Sequence, residues 1–139
     1  MTTPSRPSSA GSLAGATLIA AAAGVHVLWG TGSAWPARDR RELAEVVVGT
    51  EEFPGSAACF AVATLLVGAA GVVAAGPGGA VRRTARRGIT TAFALRGVTG
   101  VTGLTSVMTP WTPSERFVEA DRRFYGPLCL VIAALIARC

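Results

Sequence analysis

The sequence predicts an all-α fold: a polytopic membrane bundle of four helices, with short interfacial helices in the first and third connections. Three observations carry this expectation. Half of the 139 residues are apolar and only 15% are charged, where a soluble domain would have charges at about a quarter of its positions. Ala, Val, Leu and Gly fall in blocks, and mean hydropathy is +0.47. The charged residues gather between these blocks, as they do when lipid is the solvent for the rest.

The first twelve residues, MTTPSRPSSAGS, are rich in Ser, Thr and Pro and read as a flexible tail over 1–12. A single four-span domain over 13–139 follows, with spans expected near 13–35, 57–75, 89–108 and 119–137. From Leu13 to Trp35 no residue is charged, which is long enough to cross a hydrocarbon core of about 30 Å. A cleaved signal peptide is the competing reading, but apolar character continues past Val25, Val27 and Leu28 to Trp29 and Trp35. That pattern suits a retained span with an aromatic anchor at the interface.

Between Pro36 and Pro54, Arg38 and Glu42, and then Arg41 and Glu45, stand four residues apart, with Leu43, Val46 and Val47 forming an apolar face. This predicts a helix lying on the bilayer surface. Ala57 to Ala75 is the second uncharged run, and Gly68, Gly71 and Ala75 give it a small-residue stripe for close helix packing.

Gly76 to Gly88, GPGGAVRRTARRG, reads as a tight turn followed by Arg82, Arg83, Arg86 and Arg87 with no acid nearby. No strand precedes these glycines and no GK[ST] follows, so a phosphate-binding loop of that kind is not indicated. The expected partners are the lipid bilayer and anionic lipid headgroups near Arg82, Arg83, Arg86 and Arg87. The net charge of +5 comes wholly from arginine. These arginines flank apolar runs instead of alternating with exposed aromatics, so nucleic acid is not expected as a partner.

The third run contains Arg96 near its middle, with Thr99, Gly100 and Gly103 on the same face. The next connection, TPWTPSERFVEADRR, offers Ser114 as a helix cap and Glu119 as a partner for Arg122 or Arg123. The last run, Phe124 to Ala137, is short, so the fourth helix is expected to start near Glu119, with Gly126-Pro127 kinking or breaking it. Four spans place the two mixed-charge connections on one side. Arg6, Arg82, Arg83, Arg86, Arg87 and Arg138 then balance Arg38, Arg40, Arg41, Arg116, Arg122 and Arg123, six against six. The arginines of the first set have no acids near them, so that side, with both termini, is expected to be cytoplasmic. The two halves also share a faint pattern of Trp, Pro, mixed-charge helix, aromatic and Cys, of the kind that internal repeats leave.

HVLWGTGSAWP (His26 to Pro36) and FVEADRRFYGPLCL (Phe117 to Leu130) resemble an uncharacterised family, a domain of unknown function, of small bacterial four-span integral membrane proteins. Its motif is His-x-x-Trp in the first helix and Asp followed by Tyr-x-Pro-Leu-Cys at the fourth, here His26, Trp29, Asp121, Tyr125, Pro127, Leu128 and Cys129. The resemblance implies the four-span architecture and brings no activity with it.

His26 and Arg96 are the ionisable groups expected inside the membrane, where a mid-span arginine costs about 2.5 to 3.5 kcal/mol before compensation. With Asp121 and Tyr125 they predict a polar intramembrane cavity. Three readings stay open. In one the groups only pack and pair. In a second, an enzyme of amphipathic substrates uses His26 as acid or base, Asp121 to orient it, Tyr125 as a donor, and Arg96 and Trp29 to hold the substrate. In a third, the same groups serve proton-coupled transport or ligand binding, which through four spans alone would call for a homodimer. The three cysteines, Cys59, Cys129 and Cys139, form no CxxC or metal-ligand spacing, so neither metal nor cofactor is expected. A Cys59–Cys129 disulfide is an expectation that needs the two Cα atoms within about 7 Å.

Overall fold

The structure, a computed structural model, describes residues 8–138, and the helices follow the apolar blocks. They are α1 (Ser8–Gly30), α2 (Arg40–Val47), α3 (Ser56–Ala74), α4 (Ala80–Thr102), α5 (Thr105–Met108), α6 (Glu115–Ala120) and α7 (Gly126–Ala137), with a π-helical segment over Asp121–Tyr125. No strand occurs among the described residues, so the all-α expectation holds. Two helices, Ala10–Gly30 within α1 and Ser56–Ala74, are long and apolar enough to cross a membrane. The other two expected spans fail that measure singly, because α4 carries five arginines and α7 has only 12 residues.

Boundaries differ from expectation for identifiable reasons. Helix α1 starts within the expected tail, and Ser12 is buried there. Residues 1–7, the rest of that tail, lie outside the described residues, as does Cys139. Arg82 to Arg87 occupy the first turns of α4, not a loop, because Gly79 already starts the helix. This moves the third long helix from 89–108 to Ala80–Thr102, where Gly103 at φ 76° ends it in the left-handed region.

The third connection holds the short helices α5 and α6, but α6 does not stand apart from the fourth helix. Ser114 caps α6 through Phe117 N–H at 3.2 Å, and α6, the π segment and α7 then run on as one helical rod from Glu115 to Ala137. Gly126-Pro127 does not break it. Pro127 has no N–H to donate, and the turn just before it widens so that Gly126 N–H bonds to Asp121 O.

Helix α1 packs along α3, α4 packs along the rod, and α1 joins the pairs by contacting α7. Ala16, Ile19, Ala70, Val73, Ile132 and Ile136 form the core at one end. Trp29, Leu43 and Cys59 form a second core under α2. Cys59 and Cys129 are both free thiols, so the expected disulfide is absent: Cys59 is taken up by this second core. Outside, large apolar side chains stay exposed on α1 (Leu13, Val27), α3 (Leu65, Val67), α4 (Leu95, Val98) and α7 (Val131).

The two ends are closed differently. At one end α2 is tied to the start of the rod: Ser114 N–H bonds to Gly49 O at 3.0 Å, and Arg116 reaches Glu42 at 3.3 Å and Glu45 at 3.5 Å. Gly49 sits at φ 82°, and a Cβ there would meet Pro113 Cβ at 2.7 Å, so this turn accepts glycine alone. At the other end Arg86 is 6% exposed. It donates to Val73 O at 2.9 Å, Ile136 O at 3.3 Å and Ser12 Oγ at 3.3 Å. Val73 and Ile136 stand in the last turns of α3 and α7, so one guanidinium meets the negative ends of two helix dipoles.

Arg86→Met removes three buried hydrogen bonds from a charged donor, although Val73 O and Ile136 O keep backbone partners in Gly76 and Arg138, and should lower stability by about 2 kcal/mol or more, hydrogen bonds to charged groups being worth about 1.5 to 3 kcal/mol each. Thermal denaturation of the purified chain in detergent measures this, and an unchanged midpoint would contradict the role given to Arg86.

Candidate functional site

The sequence-predicted residues fall into two adjoining groups. In the first, Arg96 Nη2 of α4 lies 2.7 Å from Asp121 Oδ1 at the start of the π segment. Asp121 is 2% exposed. Neither of its oxygens, nor Arg96 Nη1, has a well-directed hydrogen bond among the described residues, so charge holds the pair together more than hydrogen-bond geometry does.

Glycines let the two helices come this close. A Cβ at Gly100 would meet Gly126 Cα at 2.8 Å and Asp121 Oδ1 at 2.9 Å, and one at Gly97 would meet Leu130 at 2.6 Å. The small residues on Arg96's face thus serve helix approach. Thr99 bonds to Arg96 O, not to the guanidinium.

The second group lines a groove of about 670 Å³ between α1, α2 and the rod. Its walls include Ala22, Val25, His26 and Trp29 of α1, Leu43, Val46 and Val47 of α2, and Phe124, Tyr125 and Leu128 of the rod. Trp35, Pro36, Arg38 and Glu42 complete it at the α2 end. Most of this lining is apolar, with a few polar groups, a composition typical of small-molecule sites.

Aromatic packing fixes the α1 wall. The His26 and Trp29 rings meet edge-on at 5.0 Å, and Trp29 meets Phe53 at 5.5 Å. Trp29 Nε1 donates to Trp35 O at 2.7 Å, so the buried indole keeps its one donor satisfied. Arg40 ties the same region together: Nη1 donates to Trp29 O at 2.8 Å and Ser33 O at 3.2 Å, while the guanidinium lies 4.6 Å from the Phe53 ring centre.

His26 and Asp121 are not partnered. His26 Nδ1 is 2.8 Å from Ala22 O on its own helix, and Asp121 is taken by Arg96, so the expected orientation of His26 by Asp121 is not made. Tyr125 links the two groups. It lines the groove, and it shares the π segment with Asp121, within electrostatic reach of both Asp121 and Arg96.

Arg38 N–H donates to Glu42 Oε2 at 2.9 Å. That bond, with Arg116 beside it, holds the Glu42 carboxyl below the usual glutamate range. The expected Arg38–Glu42 pairing is therefore made through the backbone, whereas Arg41–Glu45 at 3.6 Å and Arg123–Glu119 at 3.1 Å are side-chain pairs.

Sequence reasoning missed Arg40, Glu42 and Phe53 as site components. Only the apolar face of α2 signalled that this segment covers something, and nothing in the residue order told Arg40 from Arg38 or Arg41.

Removing one member of the pair should cost more than removing both. Asp121→Asn is expected to destabilise by about 1 to 3 kcal/mol, less than for a wholly buried pair because the Arg96 side chain is 38% exposed, with Arg96→Met/Asp121→Leu closer to the native chain. A double-mutant cycle on unfolding in detergent checks this, and additive effects would show that the two charges do not stabilise each other. No curated protein and no solved structure matches the chain. Residues 6–136 match the family model described as Protein of unknown function (DUF3995), and the chain belongs to that family.

Proposed function

We propose that this chain is a small four-span integral membrane protein that holds one amphipathic, lipid-like molecule in the groove beneath α2. The four-span reading is supported by the apolar side chains left exposed on α1, α3, α4 and α7 and by the length of the Glu115–Ala137 rod, about 35 Å at 1.5 Å per residue. Arg96, the one charge in the second half of α4, has Asp121 beside it, which lowers the cost of immersing that helix. With Arg82 to Arg87 at headgroup level, Arg96 is the one charge left in the remainder of α4, which ends at Thr102.

The observation that carries the ligand reading is the groove itself. An acyl or prenyl chain fits walls made of Ala22, Val25, Leu43, Val46, Val47 and Leu128, and a polar head fits beside Arg38 and Glu42. His26 and Tyr125 supply hydrogen bonds along its length. Since Asp121 does not orient His26, binding is favoured over acid-base catalysis, and no proton path is required.

Topology is checked by single cysteines in a background lacking the native three. Glu51→Cys and Glu115→Cys should react with a membrane-impermeant maleimide from one side of sealed vesicles and Thr84→Cys from the other, and labelling of all three from one side would defeat the four-span reading. Binding is checked with a diazirine-bearing fatty acid. Saturable cross-links should map to Val46, Val47 and Leu128, vanish in Ala22→Phe, which fills the groove, and weaken about tenfold in His26→Ala/Tyr125→Phe. Unsaturable labelling of every outward apolar face alike would remove the groove as a site.

A further inference from the structure

A second cavity lies at the opposite end of the bundle. It measures about 490 Å³ and is lined by Pro77, by Arg83, Arg86, Arg87, Thr90 and Thr91 of α4, and by the last turn of α7. Three guanidinium groups border it. All eight carboxylate side chains of the protein belong to 39–52 and 115–121, and none of Arg82, Arg83, Arg86 and Arg87 enters an ion pair among the described residues.

The buried Arg86 is offset by the carbonyl ends of two helices, as described above. Arg83 and Arg87 are exposed into the same cavity and have no such offset. Thr90 spends its hydroxyl proton on Arg86 O at 2.9 Å, whereas Thr91 has its hydroxyl free to donate. The cavity thus gathers guanidinium charge and a hydroxyl donor, with no carboxylate side chain among the described residues that line it, and Arg86 already offsets the carbonyl ends of α3 and α7 beside it.

We propose that this cavity binds a single phosphate-bearing anion, held by Arg83 and Arg87 against the fixed charge of Arg86. The guanidinium fork matches two phosphate oxygens at once, and the apolar wall made by Ile136 and Pro77 suits the ester side of a phosphodiester. The chemistry is shared by a phospholipid headgroup and by free phosphate. The site differs from a diffuse basic surface in having walls and a buried cation behind it.

The test uses the full chain in nanodiscs. Native mass spectrometry of the chain released from phosphatidylglycerol–phosphatidylcholine discs reads retained lipid, and a thermal shift with inorganic phosphate in phosphatidylcholine discs, against chloride at matched ionic strength, reads the soluble source. Selective retention of phosphatidylglycerol, falling about tenfold or more in Arg83→Gln/Arg87→Gln, supports the site with lipid as its source. A phosphate-specific shift lost in that variant, without lipid retention, supports it with a soluble source. Arg122→Gln/Arg123→Gln removes equal charge from the other end and should leave either signal unchanged. Equal loss in the two variants, or no selective signal in the native chain, overturns the proposal. Arg86 is left intact in all of them because it holds the helix ends.

Discussion

A carboxylate buried to 2% exposure is costly unless a cation or a proton neutralises it, and the contact between Asp121 and Arg96 joins α4 to the rod. It lies where α4 and the rod pack closely. Only glycine at Gly97, Gly100 and Gly126 leaves room for that approach. The rod reaches the same point with Pro127 just ahead, and its widened turn provides for the missing N–H. Charge pairing, glycine packing and the π segment therefore act together at one point, where Arg96 of α4 meets the buried carboxylate of the rod.

Charge is also divided by end. The acids stand with Arg38, Arg40, Arg41, Arg116, Arg122 and Arg123, where they pair across α2 and the rod, and the end near the start of α4 has arginines alone. The two ends consequently close by different means. At the mixed end, exposed ion pairs add little individually, and the closure rests on buried Leu43 and Phe117 together with the Gly49 turn. At the basic end, Arg86 uses helix carbonyls as its counter-charge, which leaves Arg83 and Arg87 facing outward with theirs unsupplied.

Much of the architecture was legible in the residue order because hydropathy and helix signals are local. The first two apolar blocks became α1 and α3 almost as read, Ser114 caps its helix, and Arg96 was marked as needing compensation. What the order concealed is long-range. Whether Asp121 would turn to His26 or Arg96 depends on which helix packs against the rod, and no local pattern encodes that. Likewise Arg82, Arg83, Arg86 and Arg87 are equivalent by sequence, and only the packing of α4 against the ends of α3 and α7, which buries Arg86 and aims it at Val73 and Ile136, sets it apart. The groove was hidden for the same reason. Its far wall is α2, which the apolar face of Leu43, Val46 and Val47 identified as surface-seeking without saying what lay beneath it.

The HVLWGTGSAWP stretch takes its meaning from that wall. Trp29 is fixed on every side: by Trp35 O at its indole nitrogen, by Phe53 and His26 at its ring, and by Arg40 at its carbonyl. A residue so held gives the groove a rigid side. The opposite side is the π segment, where Tyr125 stands four residues from Asp121 on a turn with widened backbone bonding. A molecule lodged between Trp29 and Tyr125 therefore bears on a fixed surface and on the turn that carries the buried carboxylate. The ion pair and the groove are mechanically one unit, since Tyr125 cannot shift along its helix without moving the backbone that aims Asp121 at Arg96.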